Sequence, residues 1–207
     1  MSPARHQVFN QDTARPAPYR GIGSEILRWL CMLYLKLSGW TLCGDWPNTP
    51  KAVLLAAPHT SNWDGLNMLA TAGYYRVKLT WMGKASLAKG LGGRLLLRMG
   101  LLPVDRSGGR DTVDEAVQAL ERSDSMILAV APEGTRSTEA KWKTGYYHIA
   151  RRAGAPIVFG VLDYGVKTIR ISGMMTPTGD YDADRTLIRN HYKNATGKHA
   201  DRFQLDA

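Results

Sequence analysis

Residues 51–64 have the sequence KAVLLAAPHTSNWD. The first seven are an almost unbroken apolar run, which is typical of a strand buried on both faces of a parallel sheet. Pro58 ends that strand, and apolar residues at helical spacing follow from Trp63 to Gly73. A strand that leads directly into a helix is the unit from which parallel α/β sheets are built.

The rest of the chain repeats this alternation. Predicted strands cover residues 40–46, 51–57, 78–83, 101–106, 125–131, 155–164 and 167–173. Predicted helices cover residues 24–39, 62–75, 86–100, 144–154 and 183–195, with one more beginning at Thr112. This order predicts an α/β fold with a mainly parallel central sheet and helices on both faces.

Composition limits the class of protein. The 207 residues are 44% hydrophobic and 22% charged, which suits one globular domain. Two cysteines, Cys31 and Cys43, are too few for a disulfide scaffold, and we expect a reduced cytoplasmic setting. The net charge of +9 favours an anionic partner, whether nucleic acid, anionic lipid or a phosphorylated substrate.

The N-terminal region divides into two predicted parts ahead of a main domain at 40–207. Residues 1–20 are polar and predict a flexible basic arm, with no signal-peptide core. Residues 21–39 predict an apolar helix, with Ser24 as its N-cap and Gly39 at its end. This helix is too short to span a bilayer, and it either packs on the domain core or lies in a membrane interface.

His59 and Asp64 are the first candidates for chemistry. His59 directly follows a predicted strand, at the edge of a parallel sheet where ligands bind, and Asp64 lies in the first turn of the next helix. A carboxylate on one ring nitrogen leaves the other nitrogen free to accept a proton. The alternative is structural, because Ser61 and Asp64 also have the spacing of a helix-capping pair.

Three further strand ends carry polar groups. The segment Pro132–Ser137 includes Glu133, Gly134, Thr135 and Arg136, and its backbone and guanidinium suit a phosphate. Its spacing alone is more typical of a turn with a surface Glu–Arg pair. Arg106 and Lys84 lie at the ends of two other strands, although each alone is more typical of a solvated loop. Together these residues predict one crevice with a general base and several anion-binding groups.

Several common catalytic motifs do not occur in the sequence. It contains no G-x-S-x-G turn, no phosphate-binding loop G-x-x-x-x-G-K-[ST], no G-x-G-x-x-G and no H-E-x-x-H. The spacing of histidine and cysteine does not support a metal site. We therefore expect neither a serine hydrolase with a nucleophile turn nor a bound metal.

Taken in order, four blocks resemble the motifs of the glycerolipid acyltransferase family, the 1-acylglycerol-3-phosphate acyltransferase-like proteins. The blocks are H-x-x-x-x-D from His59 to Asp64, G-x-x-x-V-x-R from Gly100 to Arg106, P-E-G-T-R-S from Pro132 to Ser137, and Ala155–Val158. The resemblance covers residues 40–175. It implies a glycerol-3-phosphate acyltransferase-like fold and an acyltransferase domain at 40–207.

The resemblance also implies a reaction. A fatty acyl group would move from acyl-CoA or acyl carrier protein to the hydroxyl of a lysophospholipid, with 1-acylglycerol 3-phosphate as the expected acceptor. His59 would be the general base and Asp64 its orienting partner, with no acyl-enzyme and no cofactor besides the donor. The residues expected to bind the acceptor are Lys84, Arg106, Glu133, Gly134, Thr135 and Arg136.

Departures from the family pattern leave the acceptor open. Pro58 stands where the family often has asparagine, and Ala131 where an aromatic residue is frequent. One alternative is a different acceptor, such as an amino-acid-containing lysolipid. Another is a non-catalytic basic protein that binds lipid or nucleic acid, although no nucleic-acid-binding motif occurs, so none is expected as partner. We expect a protein peripheral to the cytoplasmic face of a membrane and attracted to its anionic surface.

Overall fold

The computed structural model describes residues 22–104, 109–135, 142–203 and 205, with only the helical backbone of residues 109–111. These residues form strands and helices in alternation. The strands are β1 (Thr41–Cys43), β2 (Lys51–Ala57), β3 (Leu79–Lys84), β4 (Leu101–Val104), β5 (Met126–Val130), β6 (Ile157–Asp163) and β7 (Thr168–Met175). The helices are α1 (Ile22–Leu37), α2 (Asn62–Tyr74), α3 (Gly90–Arg98), α4 (Gly109–Arg122), α5 (Gly145–Arg152) and α6 (Tyr181–Tyr192), with short 3-10 helices at Ala85–Ala88 and Ala200–Arg202.

The strands form one sheet in the order β1-β7-β6-β2-β5-β3-β4. Every neighbouring pair is parallel except β6 and β7, which are antiparallel. The predicted α/β fold with a mainly parallel central sheet is therefore confirmed. β2 lies at the centre, between β5 and β6, which explains why its sequence is apolar on both faces.

Alternate residues of β2 support two separate cores, one on each face of the sheet. Ala52 and Leu54 face the core that α1 and α2 cover. Val53 and Leu55 face the other core, to which α4, α5 and α6 contribute. Helices thus cover both faces, as predicted.

Helix α1 packs on α2 through one of its faces. Leu35 is fully buried, and Gly73 of α2 permits close approach, because a Cβ there would lie 2.5 Å from Cys31 Sγ. On the other side Trp29 is 57% exposed. The packing reading of this helix is therefore confirmed for one face, and membrane contact by the other stays a prediction.

Some predicted boundaries are wrong. The first strand was expected over residues 40–46 but ends at Cys43, because Gly44 turns with φ +80° against the Ile171 carbonyl. The helix expected over 86–100 is a 3-10 turn followed by α3, because the chain turns at Gly90, where α3 begins with φ +71°.

Three expected helix starts are also misplaced. Ser24 lies inside α1 rather than at its cap, and Thr112 lies inside α4, which begins at Gly109. α6 begins at Tyr181, two residues before the expected start, because the Asp180 side chain accepts a hydrogen bond from the Ala183 amide and caps the helix.

Candidate active site

His59 lies just beyond the carboxyl end of β2, and the turn that follows β5 lies beside it. The two strands are parallel neighbours, with Leu55 paired to Val130, so their carboxyl ends share one edge of the sheet. The His59 amide donates a hydrogen bond to Glu133 Oε1 at 3.0 Å. Two of the four predicted strand ends are thus in direct contact.

The Asp64 carboxylate faces the His59 ring. His59 Nδ1 lies 3.4 Å from Asp64 Oδ2, and the His59 side chain is 30% exposed while that of Asp64 is buried. The backbone amides of Thr60 and Ser61 each donate to the same Oδ2 at 2.7 Å. Asp64 therefore completes the capping box of α2, whose N-cap is Ser61, and contacts the imidazole at the same time, so the structural and the functional interpretations of this motif are compatible.

Tyr164 holds the other oxygen of Asp64. Its hydroxyl donates to Asp64 Oδ1 at 2.6 Å, and Ser61 Oγ donates to the same atom at 2.7 Å. Burial alone would raise the pKa of Asp64, but hydrogen bonds involving His59, Tyr164 and Ser61 outweigh it, and the pKa lies below its ordinary value. Asp64 is thereby held ionised beside the imidazole.

A chain of hydrogen bonds continues from Tyr164 to the N-terminal helix. Asn67 Nδ2 donates to the Tyr164 hydroxyl at 3.1 Å, and the Tyr34 hydroxyl of α1 donates to Asn67 Oδ1 at 2.9 Å. Burial, followed by the contact with Asp64, raises the pKa of Tyr164, so this residue remains a proton donor near neutral pH. The chain connects α1 to the orienting carboxylate.

Glu133 is buried with half of its carboxyl group unsatisfied. Its side chain is 3% exposed, and among the described residues its Oε2 has no hydrogen-bond partner. Burial raises the pKa of Glu133 to about 7, against the lowering effect of the backbone amides, including that of His59. A carboxyl group that is neither fully ionised nor saturated can donate to or accept from a ligand hydroxyl.

The remaining predicted site residues are less closely joined. Gly134 has φ +67° and packs against Lys143, whose Cδ would lie 2.9 Å from an added Cβ, and Thr135 is half-buried. Lys84 ends β3 at the same edge of the sheet, exposed and two strands away from β2. Arg106 and Arg136 lie outside the described residues.

Sequence reasoning missed Tyr164 and Thr60. Tyr164 directly follows β6, which neighbours β2, so the rule that selected His59 and Glu133 applies to it equally. Thr60 lies inside the H-x-x-x-x-D motif, but its role comes from its backbone amide, which residue type does not indicate.

The arrangement of this sheet and its covering helices is also found in a solved protein structure. The structure is similar to the crystal structure of the 1-acyl-sn-glycerophosphate (LPA) acyltransferase PlsC from Thermotoga maritima, with a TM-score of 0.56 and 16% sequence identity. The match covers 81% of this chain and 78% of that one. The similarity confirms the glycerol-3-phosphate acyltransferase-like fold.

Residues 46–159 match the family model Acyltransferase. Because that match spans more than half of the sequence, the chain belongs to the Acyltransferase family, and the predicted family and enzyme class are confirmed. A search of curated protein sequences returned no match.

Proposed function

We propose that the protein transfers a fatty acyl group from the thioester of acyl-CoA or acyl carrier protein to the free hydroxyl of a lysophospholipid, with 1-acylglycerol 3-phosphate as the acceptor. The observation that carries the proposal is the buried Asp64 carboxylate 3.4 Å from Nδ1 of the partly exposed His59. The acceptor is suggested by the PlsC enzyme to which the fold is similar.

In the proposed reaction His59 is the general base. With its Nδ1 facing Asp64, the ring accepts the acceptor's hydroxyl proton at Nε2. The hydroxyl oxygen attacks the thioester carbonyl carbon, and the tetrahedral intermediate then expels the thiolate. The imidazolium returns the proton to that sulfur, so an ester and a thiol leave, and neither an acyl-enzyme nor a further cofactor is required.

The acceptor is proposed to bind along the turn after β5. Glu133 Oε2 has the free hydrogen-bonding capacity to hold a hydroxyl of the glycerol backbone, and Gly134 and Thr135 offer backbone close to it. Arg106, Arg136 and Lys84 are proposed as the cationic groups for its phosphate, because guanidinium and ammonium groups match that anion. We place the reaction on the cytoplasmic face of a membrane, where lysolipids reside. No helix among the described residues is long and apolar enough to cross a bilayer.

The test is product analysis by mass spectrometry. Purified protein is mixed with lysophosphatidic acid and either acyl-CoA or acyl carrier protein, and phosphatidic acid is the expected product. His59→Ala should lower kcat by about 10²–10⁴ while its thermal unfolding stays unchanged, since general-base help is worth that much. His148→Ala, which changes an exposed histidine of α5, is the matched control.

Two results contradict the proposal. One is the absence of any acylated lipid with both donors over a panel of lysolipids. The other is a His59→Ala variant as active as the parent. Acylation of an amino-acid-containing lysolipid in preference to lysophosphatidic acid would keep the chemistry and replace the acceptor.

A further inference from the structure

Exposed apolar side chains are concentrated on three neighbouring parts of the chain. Among the described residues, every exposed large apolar side chain but Val166, Met174 and Leu187 belongs to α1, to the start of α2, or to the segment 84–99, which we call the α3 segment. They are Ile22, Ile26, Leu27, Trp29, Leu30, Leu33 and Leu37 on α1, Trp63 and Leu66 on α2, and Leu87, Leu91, Leu95, Leu97 and Met99 in the α3 segment. Leu91 is the most exposed of those in the α3 segment, at 83%. Exposed apolar side chains grouped in this way are typical of an interaction site.

These three parts lie on the same side of the sheet. α1 and α2 cover the core to which Leu79 of β3 contributes. Trp81 and Gly83 share that face by strand alternation. The Trp81 indole donates to the Met99 carbonyl at 3.2 Å, and a Cβ on Gly83 would lie 3.4 Å from Leu87 Cδ1. The α3 segment therefore extends the α1–α2 layer toward the β4 edge.

The charge of this layer is positive. The helices α1 and α2 and the α3 segment contain only two acidic residues, Glu25 and Asp64. Glu25 forms an ion pair with Arg76, and Asp64 is buried. The α3 segment contributes four exposed cations, namely Lys84, Lys89, Arg94 and Arg98. On the opposite face α4 and α6 mix acids with bases. Exposed leucines suit the acyl region of a bilayer, and the neighbouring cations suit its anionic headgroups. A nucleic acid would bind the cations but would leave the leucines exposed to water.

We propose that the layer formed by α1, α2 and the α3 segment is a membrane-binding face, and that the α3 segment is a second contact with anionic phospholipid beside α1. Trp63 and Leu66 flank Asp64 in sequence, and Lys198 Nζ lies 4.9 Å from the ring centroid of Trp63, which is 53% exposed. The mouth of the site then opens at the lipid surface. Only this last point rests on the proposed function.

The first test measures binding to vesicles of phosphatidylcholine with and without phosphatidylglycerol. Leu91→Glu/Leu95→Glu should weaken binding to the anionic vesicles more than tenfold. The variant no longer inserts two leucines into the apolar region, and its two carboxylates offset two of the nearby positive charges. The control Gln118→Glu/Leu187→Glu adds the same charge on α4 and α6, on the opposite face of the sheet, and should change binding less than twofold. Both pairs are exposed, so the variants are expected to unfold at the parent's temperature.

Each other outcome contradicts the proposal. Equal losses in both variants would show only long-range charge, and no loss in either would leave α1 as the sole contact. If Leu91→Glu/Leu95→Glu converts an oligomer to a monomer in sedimentation, the face binds a second copy of the chain instead. Vesicle binding does not depend on catalysis, so these results stand even if the proposed reaction fails.

The second test asks where the mouth of the site lies. In a Cys31→Ser/Cys43→Ser background, an environment-sensitive dye on Leu66→Cys should brighten and shift to the blue when anionic vesicles are added. The same dye on Leu187→Cys should not respond. If the fluorescence of the dye at position 66 does not change when vesicles are added, the placement of the site at the lipid surface is contradicted.

Discussion

Five polar groups converge on the carboxylate of Asp64. The amides of Thr60 and Ser61, the hydroxyls of Ser61 and Tyr164, and the His59 ring all lie within hydrogen-bonding or ion-pair distance. A buried carboxylate saturated in this way has one orientation, and that orientation fixes which ring nitrogen of His59 faces it. One of the five groups, the Tyr164 hydroxyl, lies outside the H-x-x-x-x-D motif, so the orientation of Asp64 also depends on a residue that the motif does not include.

Tyr164→Phe tests that dependence. The change removes the donor to Asp64 Oδ1 and leaves Asn67 Nδ2 without its acceptor. A hydrogen bond to a charged group is worth about 1.5–3 kcal/mol, so we expect kcat to fall about tenfold to a hundredfold with KM unchanged.

Tyr34→Phe is the matched control for this prediction. It breaks the same chain one step further from Asp64, at Asn67 Oδ1, and should have a smaller effect on kcat. Steady-state kinetics of both variants decides the matter. Equal losses in the two variants, or a change confined to KM, would contradict a positioning role for Tyr164.

Glu133→Gln tests the consequence of burying a carboxyl group. The pKa of Glu133 is raised from 4.5 to about 7 on folding. Its contribution to stability is fully present below the unfolded pKa and is lost as the pH rises from about 4.5 to about 7, because the unfolded chain ionises over this range while the buried group stays protonated. The parent should therefore lose up to about 3 kcal/mol of unfolding free energy relative to Glu133→Gln between about pH 5 and pH 8.

Urea unfolding at the two pH values provides the measurement. The exposed Glu121, changed to Gln, is the control and should show the parent's pH dependence. A Glu133→Gln variant whose stability follows the parent at both pH values would show that Glu133 titrates normally.

At the scale of elements, the C-terminal segment 193–203 supports the loop that carries His59. The Tyr164 amide donates to the Thr196 carbonyl at 2.9 Å, and the His199 amide donates to Thr60 Oγ1 at 3.2 Å. Thr60 in turn donates its amide to Asp64. A segment beyond the part that matches the family model thus contacts the motif at its second residue.

Gly197→Ala tests this support. A Cβ on Gly197 would lie 2.7 Å from Thr60 Cγ2, so the added methyl must displace the Thr60 side chain. Overpacking of this kind costs about 1–3 kcal/mol, and we expect both the melting temperature and kcat to fall.

In the double variant Gly197→Ala/Thr60→Ser, most of the lost melting temperature and kcat should return. The serine lacks the Cγ2 atom that the new methyl group meets, and it keeps the hydroxyl that accepts a hydrogen bond from the His199 amide. Gly92→Ala is the control, because a Cβ there meets nothing within 4 Å. If the second substitution restores neither property, the segment does not act through Thr60.

At the scale of the whole molecule, the two faces of the sheet differ in both polarity and charge. One face is covered by α1, α2 and the α3 segment, with exposed leucines and few acids, and the other by α4, α5 and α6. The net charge of +9 in the sequence does not reveal this division, because a total charge does not say on which face of the sheet the charged residues lie. The right-handed connections of a parallel sheet assign each helix to its face and so separate the two surfaces.

The sequence by itself determined the class of fold and the His59–Asp64 pair. Both depend on short-range patterns, namely a strand buried on both faces and a residue spacing that spans one strand end and one helical turn. The adjacency of Glu133 to that pair was also predictable, since carboxyl ends of parallel strands share an edge. Helix starts and the length of β1 were not, because local propensities there compete with glycine conformations and with tertiary contacts.

Only the tertiary structure decided which distant groups act on the pair. The strand-end rule places Tyr164 at the same edge as His59, but its hydrogen bond to Asp64 and the Thr60–His199 contact join residues about a hundred or more positions apart, and no periodic pattern records such a bond. The shared side of α1, α2 and the α3 segment was likewise decided by the sheet order. Spacing along the chain constrains neighbours within one turn or strand, whereas long-range contacts depend on how all the elements pack together.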